Sequence, residues 1–419
     1  MTRHLLLTFS LSTLGVAILS AQIQHGTIEV DSGFIGPTST PFPAAPVFKS
    51  DTSNDVSFST RGDTNKGDYA LEFGPSLLDD DTSNGVLISS VSNNGRNGDN
   101  GDFATAHVET NDVSSYYYIP VFKAGVSEAE INMDVSFGFF PHSEFLGGRL
   151  ENTSNNGALN RFYPLSIASF ITRFITQDTG ETTLNFNNTI PPGSSLPASS
   201  DNGILLVSGA KNEANYALSR ANTDGSFTIF CHDNNANQDT YENDPVAFVY
   251  LPFDSTDQSI VAMGRVSGIA EGATVTTGAD DTRGNFTLTK GTTGIWYLEV
   301  DGHSAADATL LVSPEGGGSF NIDNIISSEW DAANSRWEIQ SRDLTSTDRQ
   351  DVDNTIAEPS FSFAVIVNLA RTVLNTNDSG PGSLRYAIDN AQDGWTISFA
   401  EGLNGETITL DSELTESSG

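Results

Sequence analysis

Short apolar runs, separated by polar turns, recur along most of this chain. Five of them, "FTLT", "IWYLEV", "TLLVS", "RWEIQ" and "FSFAVIV", alternate or run apolar over four to seven residues. They are rich in β-branched and aromatic residues, and Gly, Asn, Asp and Pro border them. Turn signals such as "TNDG" and "KGTTG" fall between the runs, and no sustained helical period is present. The pattern therefore predicts an all-β fold of antiparallel sandwiches.

One order of runs occurs three times, which favours a repeated domain. A run carrying Leu71, Leu184 or Leu298 is followed by "NGVLISS" at 84–90, "NGILLVS" at 202–208 or "ATLLVSP" at 308–314. The three leucines are nearly equally spaced. The sequence predicts three tandem sandwich domains after a leader, with these limits: 22–144, 145–258 and 259–368.

Two aromatic strands close each predicted domain. Their repeated aromatic residues are predicted to lie in the sandwich cores: Tyr117, Phe227, Trp337, Phe137, Phe248 and Phe361. A sugar-stacking surface is the functional alternative. The side chains to test for that alternative are Trp296, Trp330 and Trp337.

The N-terminus has the layout of a secretory signal peptide. Arg3 lies in a short basic region, an apolar run spans Leu5–Leu19, and the small residue Ala21 follows. The run is shorter than the roughly 20 residues that a membrane-spanning helix needs. Residues 1–21 are therefore predicted to be a cleaved leader, with an uncleaved anchor as the alternative. The expected location is extracellular or at the cell surface, without a membrane span after cleavage.

Composition excludes some partners and some chemistry. The chain has 19 Lys and Arg against 54 Asp and Glu, a net charge of −35. Such a chain lacks the basic footprint that nucleic acid requires. Cys231 is its only cysteine, so neither an intramolecular disulfide nor a multi-cysteine zinc site can form. We expect Cys231 to be a small core residue rather than a nucleophile.

The sequence contains one candidate metal site and no catalytic motif. Histidine pairs with metal spacing, nucleophile elbows and phosphate-binding loops are all missing from it. The stretch "DNNANQDTYEND" spaces oxygen-bearing residues as a calcium loop does, at Asp233, Asn235, Asn237, Asp239 and Asp244. Gln238 replaces the usual Gly and Asp244 the usual Glu, so a solvated loop is the alternative. A calcium-specific rise in melting temperature, lost on D233A plus D239A, would be the signature of a site.

The C-terminal stretch "TVLNTNDSGPGSLRYAIDNA" introduces a different pattern. Leu384, Ala387, Ile388 and Ala391 fall on one face of a helix, and Ser383 stands at its N-cap position. The strand-like runs "WTISF" and "ETITL" follow. We expect a short amphipathic helix that covers the open end of a stack of strands.

These residues carry a resemblance to a known family. Residues 371–416 resemble the N-terminal cap and first coil of bacterial secreted right-handed parallel β-helix proteins, of the pectate-lyase-like and surface-adhesin type. The matching positions are Asn375, Asp378, Gly380, Gly382, Ser383, Leu384, Arg385, Ala387 and Ile388, then Ile397–Phe399 and Ile408–Leu410. The resemblance implies that 369–419 is a β-helix cap, truncated before further coils. It implies little about activity, because enzymes and adhesins share the architecture.

Two functions fit these observations. The first is a non-catalytic secreted or cell-surface bacterial protein, with a modular β stalk or adhesion region ahead of a β-helix. The second is the N-terminal accessory region of a carbohydrate-active β-helix enzyme such as a polysaccharide lyase. Either would take an extracellular polysaccharide or a cell-surface ligand as partner. We expect no catalysis by this chain and no cofactor other than the candidate calcium ion.

Overall fold

The structure is a computed structural model in which almost every regular element is a β-strand. It describes residues 23–29, 47–48, 56–60, 68–73, 85–92, 104–106, 109–110, 116–124, 133–150, 172–176, 180–210, 215–233, 244–266, 274–276, 282–292, 294–316, 324–343, 360–367, 372–380, 382–390, 397–399, 403, 405–412 and 414. Within these ranges there is one α-helix, α1 (Leu384–Asn390), and it is too short to cross a membrane. The predicted all-β fold is confirmed.

The strands form three groups, which we call units 1, 2 and 3. Unit 1 holds β1 (Gln24–Glu29), β2 (Val47–Phe48), β3 (Val56–Thr60), β4 (Asp68–Phe73), β5 (Gly85–Val91), β6 (Ala104–Ala106), β7 (Glu109–Thr110), β8 (Tyr116–Lys123) and β9 (Val135–Pro141). Unit 2 holds β10 (Leu146–Leu150), β11 (Thr172–Thr176), β12 (Glu181–Asn185), β13 (Gly203–Gly209), β14 (Asn215–Ala221), β15 (Phe227–Asp233) and β16 (Val246–Pro252). Unit 3 holds β17 (Ile260–Val266), β18 (Thr274–Thr276), β19 (Thr282–Gly284), β20 (Phe286–Lys290), β21 (Ile295–Val300), β22 (Ala308–Glu315), β23 (Asn324–Asp331), β24 (Arg336–Asp343) and β25 (Ser360–Val367). The C-terminal segment adds β26 (Thr372–Val373) and β27 (Ser398–Phe399).

Each unit pairs its strands in one common order. A three-stranded set, the inner sheet, runs β1–β9–β5, β10–β16–β13 and β17–β25–β22 in the three units. A four-stranded set, the outer sheet, runs β3–β4–β8–β6, β11–β12–β15–β14 and β20–β21–β24–β23. Neighbours within these sets are antiparallel, whereas single parallel bridges join β14 to β22 and β23 to β5 across units. The residue limits of the predicted domains stay predictions.

The outer sheet of each unit has a matching cross-strand pair whose side chains lie in the core of that unit. The pairs are Leu71 with Tyr117, Leu184 with Phe227, and Leu298 with Trp337. All three leucines are fully buried, and every pair belongs to the core of its own unit. Aliphatic–aromatic neighbours of this kind stabilise sheets by about 0.2–1 kcal/mol per pair, beside the burial itself.

The six repeated aromatic residues are all buried, as predicted, but the register matches a different phenylalanine in unit 3. In units 1 and 2 a glycine of the first strand lies opposite Phe137 or Phe248. The sequence pattern predicts Phe361 as the counterpart in unit 3, but Gly264 lies opposite Phe363. Residues two apart on a strand point to the same face, and both phenylalanines are buried in one core. The apolar pattern therefore could not distinguish them, whereas the hydrogen-bond register does.

The outward faces of the three inner sheets meet in a fourth cluster, the central core. Its members come from all three units: Ile23, Val86, Ile88, Phe140, Phe145, Ile204, Leu206, Ala210, Ala247, Val249, Leu251, Ile260, Met263, Leu311, Ala364 and Ile366. Strands β5, β9, β13 and β16 are consequently buried along their whole length. Burial on two faces explains why "GILLVSG" and "VAFVYLP" are nearly continuous apolar runs rather than alternating ones.

The units contact one another in a cyclic order around the central core. Strands β5, β13 and β22 touch each other at its centre. The first strand of each unit packs on the inner sheet of another: β10 on β5, β17 on β13, and β1 on β22. Unit 2 thus packs on unit 1, unit 3 packs on unit 2, and unit 1 packs on unit 3. The contacts between the units therefore form a closed ring.

Serine hydroxyls join the three central strands. Ser208 Oγ of β13 accepts the backbone N–H of Ser89 at 2.9 Å and donates to the Ser89 carbonyl at 2.9 Å. Ser313 Oγ of β22 does the same for Val207, at 3.0 Å from its nitrogen and 3.4 Å from its oxygen. Each hydroxyl thus replaces a strand partner for the N–H and the carbonyl of one residue in the neighbouring unit.

A third serine completes this set. Ser90 Oγ of β5 accepts the N–H of Val312 at 3.4 Å, so the bonds run from unit 2 to unit 1, from unit 3 to unit 2 and from unit 1 to unit 3. The central strands are edges of their inner sheets, and buried edge groups need partners because an unmade hydrogen bond in an apolar interior is costly. The serines supply those partners without separating the strands.

Replacing one of these serines should destabilise the whole protein. S208A leaves the Ser89 peptide without its hydroxyl partner in a buried site, and we expect a loss of about 1–3 kcal/mol in unfolding free energy. Urea unfolding measures the loss. S379A, at an exposed serine of the C-terminal segment, should change the unfolding free energy by less than about 0.5 kcal/mol. Equal effects of the two substitutions would show that the ring of serines does not contribute.

Candidate functional site

The predicted calcium loop joins β15 to β16, and the structure describes only its two ends. Asp233 ends β15 and pairs with Asn215 on β14. The Asn215 side-chain amide donates to the Asp244 carboxylate, so the two ends of the loop meet at one asparagine. The other predicted ligands, Asn235, Asn237 and Asp239, lie outside the described residues. No cluster of three or more metal-ligating His, Cys, Asp or Glu occurs in the described part of the chain.

The tryptophans proposed for sugar stacking lie in or against the core of unit 3. Trp296 is 1% exposed and Trp337 is 4% exposed, so neither ring presents a face to solvent. Trp330 packs edge-on against Trp337 with ring centroids 4.7 Å apart. The ammonium group of Lys290, itself buried, lies 4.1 Å from the centre of the Trp296 ring. Their burial removes the support for a stacking surface at Trp296 and Trp337.

Cys231 lies in the core of unit 2. Its side chain is 2% exposed and belongs to the same cluster as Leu184 and Phe227. A thiol needs exposure and an electropositive setting to act as a nucleophile. The thiol of Cys231 is not exposed, which agrees with its expected role as a small core residue.

Sequence reasoning missed an exposed apolar loop between β12 and β13. We call residues 187–198, "NNTIPPGSSLPA", the exposed loop. It carries two of the three large apolar side chains that are exposed in the described residues, Ile190 at 58% and Leu196 at 43%. The third is Phe399, at 53%, in the C-terminal segment. The Pro and Gly residues of the exposed loop are ordinary turn signals. Nothing in the loop's sequence shows that its aliphatic side chains face solvent.

The backbone of the exposed loop is held by its own conformation and hydrogen bonds. Asn187, Asn188 and Gly193 have φ of 50°, 61° and 69°, a left-handed region that Asn and Gly tolerate best. The N–H of Ala198 donates to the carbonyl of Thr189 at 2.7 Å, which closes the loop at its base. These constraints fix the positions from which Ile190 and Leu196 project.

A carboxylate from the β16–β17 connection anchors the tip of the exposed loop. Ser194 Oγ donates to Asp254 Oδ1 at 2.5 Å, and the N–H and Oγ of Ser195 both donate to Oδ2 at 2.7 Å. Burial of Asp254 acts to raise its pKa, but the hydrogen bonds from Ser194 and Ser195 outweigh burial and hold the pKa below its usual value. The N–H of Thr256 also donates to the Gly193 carbonyl at 2.9 Å.

A buried tyrosine anchors the end of the exposed loop nearest β13. Tyr250 lies fully inside the unit 2 core, yet its hydroxyl reaches the Ser199 backbone. The hydroxyl accepts the Ser199 N–H at 3.2 Å and donates to the Ser199 carbonyl at 3.1 Å. Burial raises the pKa of the Tyr250 phenol far above its usual value, so the phenol stays protonated and able to donate.

The C-terminal segment forms a small structure of its own. Strands β26 and β27 pair in parallel, with Thr372 opposite Ser398 and Val373 opposite Phe399. The expected short helix is present as α1, and Ser383 Oγ accepts the Tyr386 N–H at 3.1 Å as an N-cap does. Ala387, on the expected apolar face, is fully buried.

An arginine–aspartate pair holds the C-terminal segment together. Arg385 Nη2 donates to Asp378 Oδ1 at 2.7 Å and to the Ser412 carbonyl at 2.8 Å. The Asp411 N–H donates to the same Asp378 oxygen at 2.9 Å. The bond from Arg385, followed by that from Asp411, holds the pKa of Asp378 below its usual value. Asp378 and Arg385 thus connect α1 with residues more than twenty positions later.

The exposed loop and the C-terminal segment flank one connection. Thr256 of the β16–β17 connection bonds the exposed loop, and Gln258 of the same connection lies close to Gly382. Leu374 and Tyr386 also pack against the core of unit 3. Both features therefore lie at the end of the ring where the β16–β17 connection runs.

Comparison with protein-family models, with curated proteins and with solved structures gave no match. The geometry of the site is therefore the basis for assigning it a role. The loop holds two exposed aliphatic side chains on a backbone that its own hydrogen bonds already order, so burying them would not require the backbone to be ordered first.

Acid should release the tip of the exposed loop. Because the Asp254 pKa is depressed in the folded state, the anchoring is complete above the unfolded value of about 3.9 and is lost as pH falls through the lower folded value. We expect the protection factor of the Ser195 amide to fall in that pH range, and D254N to lower it already at pH 7. Hydrogen exchange measures both effects.

The matched control for the Asp254 experiment is D224N. Asp224 also accepts from a serine, Ser226, and has a lowered pKa, but it lies in the β14–β15 turn. D224N should leave Ser195 protection unchanged. Unaltered protection in D254N would contradict the anchoring role of Asp254.

Proposed function

We propose that this protein is a non-catalytic secreted or cell-surface protein that attaches to a surface ligand through the exposed loop of unit 2. The observation that carries the proposal is the fixed display of Ile190 and Leu196, which are 58% and 43% exposed on a loop anchored by Asp254 and Tyr250. Exposed apolar side chains that lie together as one patch mark interaction sites in soluble proteins.

Energetics support attachment through this loop. Burying an aliphatic side chain of this size contributes about 1.5–3 kcal/mol, before the costs of association. Those costs are smaller for the exposed loop than for a mobile one, since hydrogen bonds already fix residues 187–198. Two such side chains supply the centre of a modest interface.

The partner is a cell-surface ligand with an apolar patch, in preference to an extracellular polysaccharide. Sugar recognition would favour exposed aromatic rings beside polar groups, but the exposed loop offers Ile190, Pro192 and Leu196. The net charge of −35 makes nucleic acid and anionic membranes unsuitable partners.

The shared central core favours a compact attachment body over an extended stalk. Modules of a stalk contact their neighbours end to end, whereas all three inner sheets here bury their outward faces in one cluster. We propose that this body precedes a parallel β-helix, supported by the parallel pair β26–β27 and the Asp378–Arg385 contact.

A second candidate function draws on the C-terminal segment alone. If the β-helix that it resembles is enzymatic, the three units would be the accessory region of a polysaccharide-degrading enzyme. Turnover of a polysaccharide panel by the protein, with binding that survives loss of Ile190 and Leu196, would favour this function.

The direct test is binding of purified residues 22–419 to intact cells of the producing bacterium. We expect the double variant I190S plus L196S to bind at least tenfold more weakly, because its apolar contact is lost, while its melting temperature stays unchanged. Fluorescence-detected cell binding gives the affinity. F399S is the matched control, since Phe399 is similarly exposed but lies outside the exposed loop. Binding that is absent in the wild type, or equally reduced in F399S, would contradict the proposal.

A further inference from the structure

Strand β1 lies between two hydrophobic cores. Ile23, just before β1, belongs to the central core, and His25 on β1 faces the same side toward β22; both are buried, with exposures of 0% and 1%. Ile28 points the other way, into the core of unit 1. Because successive side chains of a strand point to opposite faces, β1 contributes both to the central core and to the core of unit 1.

Besides the short strand β2, which pairs with Ile28 and Glu29 at the end of β1, two strands from distant parts of the chain form the seat of β1. Along its edge, β1 pairs with β9 from Gln24 opposite Phe139 to Ile28 opposite Val135. Across its face lies β22 of unit 3, where Thr309 Oγ1 is 2.9 Å from His25 Nδ1. These two residues are 284 positions apart in the chain.

The contact of each first strand with its neighbouring unit has its own fit. In the contact of β10 with β5, a Cβ added to Gly147 would lie 2.8 Å from Val86 Cγ1, so only glycine fits there. In the contact of β17 with β13, Met263 of β17 stands at the position that corresponds to Gly147. Ile204 of β13 stands at the position that corresponds to Val86. For β1 and β22 the fit is polar, a buried imidazole bonded to a buried hydroxyl.

We propose that the groove between β9 and β22 is a strand-acceptor site and that β1 is its ligand, docking last to close the ring. The ligand class is an extended peptide that carries Ile and His on one face and Gly and Ile on the other. This inference concerns assembly and is independent of the attachment function proposed above.

Topology supports the order of docking. Strands β10 and β17 follow β9 and β16 after connections of only a few residues, 142–145 and 253–259, so they are placed as their units form. Strand β1 has to close a loop of nearly three hundred residues to reach β22, and loop closure costs more entropy as the loop lengthens. If the predicted leader directs export, β1 emerges first and waits for the rest of the chain.

The test uses the folded chain of residues 22–419 with a protease site inserted within 30–46, a stretch outside the described residues. After cleavage of the folded protein, a fluorescent peptide of residues 22–31 is added and its uptake is followed by anisotropy. We expect the labelled peptide to exchange with cleaved β1, and the same peptide with I23D to be taken up at least tenfold less. Equal uptake of the two peptides, or no exchange over days while the protein is held near its melting temperature, would overturn the proposal.

A second measurement does not depend on cleavage. In the uncut chain, H25M alone and T309I alone should each lower the melting temperature, because each leaves a polar group against an apolar one. The double variant reproduces the methionine–isoleucine combination of Met263 and Ile204 and should recover most of that loss. Additive losses in the double variant would overturn the role of the His25–Thr309 contact in seating β1.

Discussion

Burial of the outward faces of three inner sheets in the central core holds the three units together. A sheet with two apolar faces cannot stand alone in water, so each unit needs the other two to cover strands such as β13 and β16. The ring of serine bonds at Ser90, Ser208 and Ser313 then satisfies the buried strand edges that this packing creates. Cohesion between units therefore combines apolar burial with a small number of directed bonds.

A rigid ring determines what its loops can do. The exposed loop is anchored through Asp254 and Tyr250 to strands and connections that the central core already fixes. The C-terminal segment begins from the same body, with Leu374 and Tyr386 packed on unit 3. Mechanical load on that segment would therefore pass into the core of unit 3, as the proposed attachment role requires.

Sequence patterns could predict the strands but not the surfaces between units. The run around Leu205 indicates a strand buried on two faces, yet it does not show which partner covers the second face. Serine is a common turn residue, and only the structure shows that Ser208 forms a hydrogen bond with another unit. Ile190 would ordinarily be assigned to a core from its chemistry, whereas the anchoring of its loop turns it to solvent. Helix α1, in contrast, could be predicted from the sequence, because its N-cap and the spacing of its apolar residues are local signals.

Differential scanning calorimetry of residues 22–419 shows whether the three units unfold together or separately. If the three units form one body around the central core, they should unfold in a single transition whose van't Hoff enthalpy is close to the calorimetric enthalpy. Three resolved transitions, or a van't Hoff enthalpy near one third of the calorimetric value, would mean that the units unfold independently and would contradict the account.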